Sequence, residues 1–247
     1  MISKRAYIRR ILITIFFIIV CHVGIAVAAG IQINSNALEG GGAFISETVV
    51  SFVVTDPQGR KVGYDTRTGQ RFDEFDAGYG AEGIDDIVHV IASFTPMDNG
   101  IYTIELIGDD LMAFSLEISI LREAGTGFTD SFSKGVIDKG LTSRFQFTYT
   151  SDPAIPLTFT RVAAPGSLKQ DITLSRKIGW IDNDGIMTSL LEKAEAIEAS
   201  IQKDGKKITE NLITAFINEV NAQAEKHISK EAVKMLIEDA EYIMNNL

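Results

Sequence analysis

The pattern of hydrophobic and polar positions is strand-like from Glu47 to about Ser175, and apolar residues recur at spacings of three and four after Trp180. Strict alternation, as in 102–106, 114–120 and 145–149, predicts strands with one buried face and one solvated face. In this phase Leu106 and Phe147 are expected to point inward. The change of period near residue 177 predicts a β-rich region followed by a helical one.

Short apolar or alternating runs, separated by turn residues, mark the predicted strands. They are 48–55, 62–65, 70–72, 87–94, 102–107, 114–121, 145–149, 157–160 and 172–174. Asp56-Pro57-Gln58-Gly59 favours a type I turn, and Gly69 suits the left-handed position of a hairpin. Because no helical pattern separates these strands, we expect residues 46–176 to form an antiparallel β-sandwich.

The helical region carries three apolar stripes at helical spacing. Their members are Ile186, Leu190, Leu191, Ala194, Ile197 and Ile201; Ile208, Leu212, Ile213, Phe216, Ile217 and Val220; and Val233, Leu236, Ile237, Ala240 and Ile243. Ser229 lies where an N-cap belongs, and Phe216 lies mid-stripe as an expected core residue. Residues 177–247 are therefore predicted to form a small three-helix bundle. The predicted fold class is α+β in separate modules.

The N-terminal segment has the layout of a secretory leader. Lys4, Arg5, Arg9 and Arg10 precede an apolar run, and Ala26-Val27-Ala28 provides a cleavage site. This predicts a signal peptide at 1–28, a flexible linker at 29–45 that contains Gly40-Gly41-Gly42, and a secreted or periplasmic protein. The alternative is an uncleaved anchor, since the apolar run nearly reaches the ~20 residues that span a bilayer. Membrane contact is expected only through that uncleaved leader.

Charge and cysteine content narrow the partners and the chemistry. The chain of 247 residues has a net charge of −10, and its one cysteine, Cys21, lies in the leader. An acidic surface disfavours nucleic acid as a partner. A mature chain without cysteine cannot use thiol catalysis or disulfides.

The helical region resembles the FIMAH domain, a C-terminal module of exported bacterial proteins. The strongest stretch is Ala215-Phe216-Ile217-Asn218-Glu219-Val220-Asn221-Ala222-Gln223, joined by 185–186, 189–194, 226–229, 231–232, 236–237, 239–240 and 242–243. The chain departs from the pattern at Ala224-Glu225, where a small residue and glycine are expected. The resemblance implies a non-catalytic accessory module.

The β-region is similar to two features of exported bacterial proteins. The stretch 54–69 resembles a repeat built around Asp56-Pro57 and Gly63-Tyr64-Asp65. The stretch 100–108, with its Gly-x-Tyr-x-hydrophobic pattern, resembles a strand of bacterial pre-peptidase C-terminal domains. Both resemblances imply a sandwich that accompanies other activities.

Few residues suggest a site. The acidic pairs Asp85-Asp86 and Asp109-Asp110 are weak candidates for a Ca²⁺ site, and solvated charges in turns are the better explanation of both pairs. Tyr79, in a glycine-rich segment expected to be a loop, is a weak ligand-binding candidate. Asp182 or Asp184 is expected to cap a helix.

The sequence holds no zinc-protease, nucleophile-elbow or phosphate-loop motif, and it indicates no catalytic residue, cofactor or metal site beyond the Ca²⁺ candidates. We therefore expect an exported, non-enzymatic scaffold or interaction protein that docks to a protein or a surface polymer. The alternative is a carbohydrate- or calcium-binding accessory module.

Overall fold

The computed structural model describes residues 42–47, 50–75, 77–84, 87–94, 98–121, 128–152, 154–156, 158–203 and 205–247. The strands of these residues are β1 (Gly42–Glu47), β2 (Val50–Thr55), β3 (Lys61–Asp65), β4 (Gln70–Asp73), β5 (Ala77–Ile84), β6 (Ile87–Phe94), β7 (Gly100–Gly108), β8 (Met112–Leu121), β9 (Phe128–Ile137), β10 (Thr142–Tyr149) and β11 (Thr158–Val162). The helices are α1 (Pro165–Lys177), α2 (Asp184–Ile201), α3 (Lys206–Gln223) and α4 (Lys230–Asn245). The predicted leader lies outside the described residues.

The strands form two antiparallel sheets. One has the order β5-β6-β1-β8-β9, and the other has the order β11-β10-β7-β2-β3-β4. The predicted α+β class is confirmed. Strands β9 and β11 are edge strands of their respective sheets.

Side chains from both sheets share one apolar core. Phe52, Leu106 and Phe147 of the six-stranded sheet pack with Phe114 and Leu116 of the five-stranded sheet. The inward positions predicted for Leu106 and Phe147 are confirmed, because the two residues are 0% and 2% exposed. The Phe147 ring stacks on Tyr102 with 4.8 Å between centroids.

The two predicted turns are confirmed. The amide of Gly59 donates to the carbonyl of Asp56 at 3.0 Å, and the Asp56 carboxylate accepts the amides of Gln58 and Arg60. The amide of Gly69 donates to the carbonyl of Asp65 at 2.8 Å, and Gly69 has a φ of 70°. Positive φ is unstrained only for glycine, so the residue fits its place.

Three strands were missed by the sequence analysis. Residues 42–45 of the expected linker belong to β1, which pairs with β6 and β8 in the middle of its sheet. The segment around Tyr79, expected to be a loop, is β5, and β9 pairs with β8 over ten residues. Strand β5 is rich in glycine, and polar or charged residues interrupt the apolar positions of β1 and β9, so cross-strand pairing stabilises these strands where the local pattern is weak.

The strand predicted at 172–174 is wrong, since these residues lie inside α1. This helix begins at Pro165, a residue favoured at a first helical position, and buries Leu168, Asp171, Ile172 and Ser175 on one face. The buried aspartate interrupts the apolar stripe and hides its helical period. The described chain therefore has four helices where three were predicted.

The helices enclose a second core. Phe216 of α3 is fully buried among Ile213, Leu236 and Met235, which confirms its predicted core position. Ser229 caps α4 as predicted, since its side chain accepts the amide of Ala232 at 3.2 Å. Val136 of β9 belongs to this second core, and Leu141 packs against both cores. The helical layer is thus packed directly on the sheet region.

Glu225, in the turn between α3 and α4, has a φ of 58° and is the only non-glycine residue with positive φ in the described chain. It occupies the position at which the FIMAH-like pattern has glycine. Its amide donates to the carbonyl of Ile228 at 2.8 Å, which closes the turn.

We predict that Glu225→Gly stabilises the protein by about 0.5–1 kcal/mol, because left-handed backbone costs a non-glycine residue about 1–2 kcal/mol. The variant also loses an exposed ion pair between Glu225 and Lys230, which has little energetic weight. Urea denaturation measures the change. Glu225→Ala is the matched control, since it removes the same ion pair and keeps the strain, so equal stability of the two variants would contradict the prediction.

We predict that Gly135→Ala destabilises the protein by about 1–3 kcal/mol, the usual cost of overpacking. A Cβ at this position of β9 would lie 2.4 Å from Cζ of Phe114 and 2.7 Å from Nη1 of Arg161. Both neighbours are buried and cannot move freely. The control is Gly166→Ala in α1, where a Cβ meets nothing within 4 Å. An equal effect of both substitutions on the urea midpoint would contradict the prediction.

Candidate functional site

An open groove of about 870 Å³ runs between the sheet edges and α4. It is lined by Ser133 of β9, by Thr158, Phe159, Thr160 and Arg161 of β11, and by Glu238, Glu241, Tyr242, Asn245 and Asn246 of α4 and its C-terminal end. This volume is in the range of about 300–1,000 Å³ that is typical of ligand sites. The groove lies where the sheet region and the helical layer meet.

The lining identifies which parts of the two elements face the groove. Residues 158–161 are consecutive, whereas a groove along one face of a strand would be lined by every second residue. The groove therefore follows the edge of β11, which pairs only with β10 among the described strands. The helical residues Glu238, Glu241, Tyr242 and Asn245 have the spacing of a single helix stripe. One wall is a strand edge and the other is a helix face.

The wall at Arg161 is held by a buried ion cluster. Arg161 Nη2 lies 2.5 Å from Oδ2 of Asp171 in α1, and Arg161 Nε lies 2.8 Å from Oδ1 of Asp239 in α4. The side chains of all three residues are at most 4% exposed. The guanidinium also lies over the Phe145 ring, 5.8 Å from its centroid. The cluster joins β11, α1 and α4.

Burial sets the protonation of this cluster. It raises the pKa of Asp239 well above its usual range, and the neighbouring Asp171 charge raises it further against the opposing effect of Arg161. Burial also raises the pKa of Asp171. The pKa of Arg161 is raised, because the two carboxylates outweigh the effect of burial, which alone would lower it. Both buried carboxyl groups therefore hold a proton more tightly than an ordinary aspartate does, and Asp239 does so most strongly.

Two buried polar atoms in the groove lining have no hydrogen-bond partner in the described chain. They are Oγ of Ser133 and Nη1 of Arg161. A buried polar atom without a partner costs about 1–3 kcal/mol. Such atoms are found where strain or a ligand explains them. Both atoms have almost no accessible surface, so they lie behind the groove wall and not on it.

The rim of the groove is acidic and partly aromatic. Burial raises the pKa of Glu238, whose Oε1 lies 3.7 Å from Nζ of Lys234, and Glu241 is exposed. Tyr242 is half-buried, and the Phe159 ring stacks on Phe145 at 5.5 Å. Apart from Arg161, which is paired with two carboxylates, the charged residues of the lining are negative.

The acidic pairs singled out in the sequence do not lie in this groove. Asp85 and Asp86 are outside the described residues. Asp109 and Asp110 lie between β7 and β8, where Asp110 Oδ1 accepts the amide of Leu111 at 2.8 Å. In the described part of the chain, no group of three histidine, cysteine or acidic side chains could hold a metal ion.

Tyr79 lies in strand β5, opposite Ala92 of β6, and not in a loop as expected. Strand pairing with β6 overrides the flexibility that its glycine neighbours suggest. The placement of its side chain is outside the described residues, so its candidacy for ligand binding stays a prediction.

The expected helix cap before α2 is also corrected. The cap is Asn183, whose Oδ1 accepts the amides of Gly185 and Ile186, and neither Asp182 nor Asp184 caps the helix. Asp182 Oδ1 lies 2.8 Å from Nδ1 of His227. Asp184 Oδ1 accepts a hydrogen bond from Nε of Arg176 at 2.6 Å. The two carboxylates tie this junction to α1 and to the turn before α4.

Sequence analysis missed Arg161, Asp171 and Asp239. A signal exists for the two aspartates, because each lies at a core position of an apolar helical stripe: Asp171 beside Leu168 and Ile172, and Asp239 beside Leu236 and Ala240. A charged residue at a core position requires a partner of opposite charge. Arg161 is that partner, but the strand alternation alone does not distinguish it from a solvated arginine.

Comparison with known proteins found no match: no family model, curated protein or solved structure matches this chain. The FIMAH-like and pre-peptidase-like resemblances therefore stay predictions from the sequence. None of the four helices in the described residues has the length and apolar character that a membrane crossing requires.

We predict that Asp239→Asn reduces the pH dependence of stability. A folded pKa above the ordinary value of 3.8 means that the folded chain holds the proton more tightly than the unfolded chain. The free energy of unfolding therefore falls as pH rises from 3.8 through the raised folded pKa. Asparagine cannot ionise, so this loss disappears from the variant.

Urea titrations at pH values from about 4 to about 9 measure this dependence. Asp184→Asn is the control, because Arg176 lowers the pKa of the exposed Asp184 and its contribution is lost only as pH falls below 3.8. Parallel stability curves for the wild type and Asp239→Asn would contradict the prediction.

Proposed function

We propose that this chain is a non-catalytic binding protein that docks to another protein through the groove between β11 and α4. The observation that carries the proposal is the groove itself, a space of about 870 Å³ that has the edge of β11 as one wall and a face of α4 as the other. An unpaired strand edge beside a helix face offers a partner both backbone hydrogen-bonding groups and side-chain contacts.

Rigid walls support the same function. Arg161, Asp171 and Asp239 hold the strand edge and the helix at a constant separation, so little freedom is lost when a partner binds. We regard the two facing sheets as a sandwich scaffold and the helical layer as the element that completes the groove. The signal-peptide pattern at residues 1–28 supports export, which places the docking outside the cytoplasm.

A second candidate is a carbohydrate-binding module. Tyr242 and Phe159 line the groove beside the hydroxyls of Thr158 and Thr160 and the amide of Asn245. Aromatic rings next to hydrogen-bonding side chains also suit a sugar chain. The acidic pair Asp109-Asp110 does not line this groove, and calcium binding stays a separate prediction from the sequence.

The test is a comparison of two arrays, one of random peptides and one of bacterial glycans, probed with the full chain. Asn245→Trp fills the groove from its exposed rim, and Asn218→Trp makes the same change on an exposed position of α3 outside the groove. We expect peptide binding that Asn245→Trp weakens at least about tenfold, a change of about 1.4 kcal/mol, and that Asn218→Trp leaves unchanged.

Glycan binding with the same dependence on Asn245 would favour the second candidate. Binding on neither array, or binding that Asn245→Trp does not alter, would contradict the assignment of the groove as a docking site.

A further inference from the structure

We infer that the partner enters the groove as an extended, basic polypeptide segment that adds a strand to the free edge of β11. This inference rests on the proposed function and names the mode of binding and the chemistry of the partner.

The edge of β11 is the first reason. An edge strand presents unpaired amide and carbonyl groups, and an extended peptide can pair with them as an added strand. Residues 158–161 line the groove consecutively, so the backbone edge of β11 faces the groove. No backbone hydrogen bond joins β11 to any described residue outside β10. A strand of five residues extends about 17 Å, enough for a short peptide.

The helix face is the second reason. A groove with a strand edge on one side and a helix on the other places the backbone of an added strand against β11 and some of its side chains against α4. The stripe Glu238, Glu241, Tyr242 and Asn245 then contacts those side chains. Backbone pairing supplies affinity and the stripe supplies selectivity.

Charge complementarity is the third reason. Glu238 and Glu241 are the charged residues of the stripe, and the positive Arg161 on the opposite wall is already paired with Asp171 and Asp239. A lysine or arginine on the added strand meets the exposed carboxylate of Glu241 and, beside it, that of Glu238, which already has Lys234 at 3.7 Å, whereas an acidic residue meets repulsion. The lysine side chain is long and flexible, so it reaches either carboxylate. The chain as a whole, at −10, attracts basic segments at long range.

The uncovered part of the edge shows where the strand enters. Thr158 and Thr160 are exposed, whereas Arg161 is 6% exposed beneath α1 and α4. The added strand therefore enters at the Thr158 end and stops at Arg161.

The experiment uses the full chain and three synthetic peptides of seven residues. The first alternates valine and lysine, the second alternates valine and glutamate, and the third is the first peptide with N-methylated backbone amides. N-methylation removes the donors that strand pairing requires and keeps the side chains. Affinity is followed through the fluorescence of Trp180, the one tryptophan of the chain, or by calorimetry where the signal is small.

We expect the lysine peptide to bind, the glutamate peptide to bind at least about tenfold more weakly, and the N-methylated peptide to lose binding. Glu241→Lys should weaken the lysine peptide about tenfold and improve the glutamate peptide. Glu195→Lys, the same change at an exposed position of α2 outside the groove, should leave both affinities within about twofold. Hydrogen exchange should show new protection at alternate amides of residues 158–161 in the complex.

Two outcomes overturn the inference and leave the proposed function standing. One is peptide binding that tolerates N-methylation or ignores the Glu241→Lys change. The other is failure of all three peptides while array binding still depends on Asn245. Array binding without any dependence on Asn245 overturns the proposed function itself, so the two failures are distinct.

Discussion

The architecture depends on one buried guanidinium. Arg161 lies in the edge strand β11 of the six-stranded sheet. Its guanidinium pairs with Asp171 of α1 and Asp239 of α4, the first and the last of the described helices. Removal of one member of a buried ion cluster leaves an uncompensated charge, which typically costs 3–5 kcal/mol. Apolar contacts of Val136 and Leu141 also join the sheets to the helices. These contacts are less directional than the ion cluster, so they orient the helices on the sheets less specifically. The relative placement of sheet and helices, and therefore the groove, follows from this cluster.

Helices α1 and α4 also cover part of the edge strands of both sheets. Exposed edge strands invite uncontrolled association, and proteins commonly cover them with helices. Here α1 and α4 contact β9, and α4 contacts β11, so most of this side is covered. Lys134 of β9 adds an ion pair to Glu231 of α4 at 3.7 Å. The cover is incomplete beside Thr158 and Thr160, and this gap is the groove. The groove that we propose as a docking site is thus the part of the β11 edge that the helices leave uncovered.

Close backbone approaches make room for these contacts. Gly135 lacks the Cβ that would collide with Phe114 and Arg161, so β9 can lie against the guanidinium. Gly63 plays a similar part in β3, where a Cβ would lie 2.1 Å from the carbonyl oxygen of Phe52. Its φ of 130° is also unfavourable for any other residue. Glycines that look like flexible interruptions in the sequence are, in these two strands, requirements of packing.

Local patterns were sufficient for much of the fold. Period-two alternation located most strands and the inward phase of Leu106 and Phe147. Helical spacing located three helices and the core position of Phe216, and Ser229 marked the start of α4. Each of these signals reports a single element with one buried face, which is a property of adjacent residues. The α+β class follows from the same signals.

Tertiary structure alone decided the rest. Strands β1, β5 and β9 are weak in propensity and exist because neighbouring strands supply their hydrogen bonds. Helix α1 has a polar residue in its buried face, and Asp171 fits there only because Arg161, ten positions earlier, is folded against it. The groove is formed by residues about 80 positions apart, such as Thr160 and Glu241. The sequence determined the helices and strands whose buried residues recur at a regular helical or strand spacing. The fold decided the ion cluster and the site, because both arise from long-range pairing that no local period encodes.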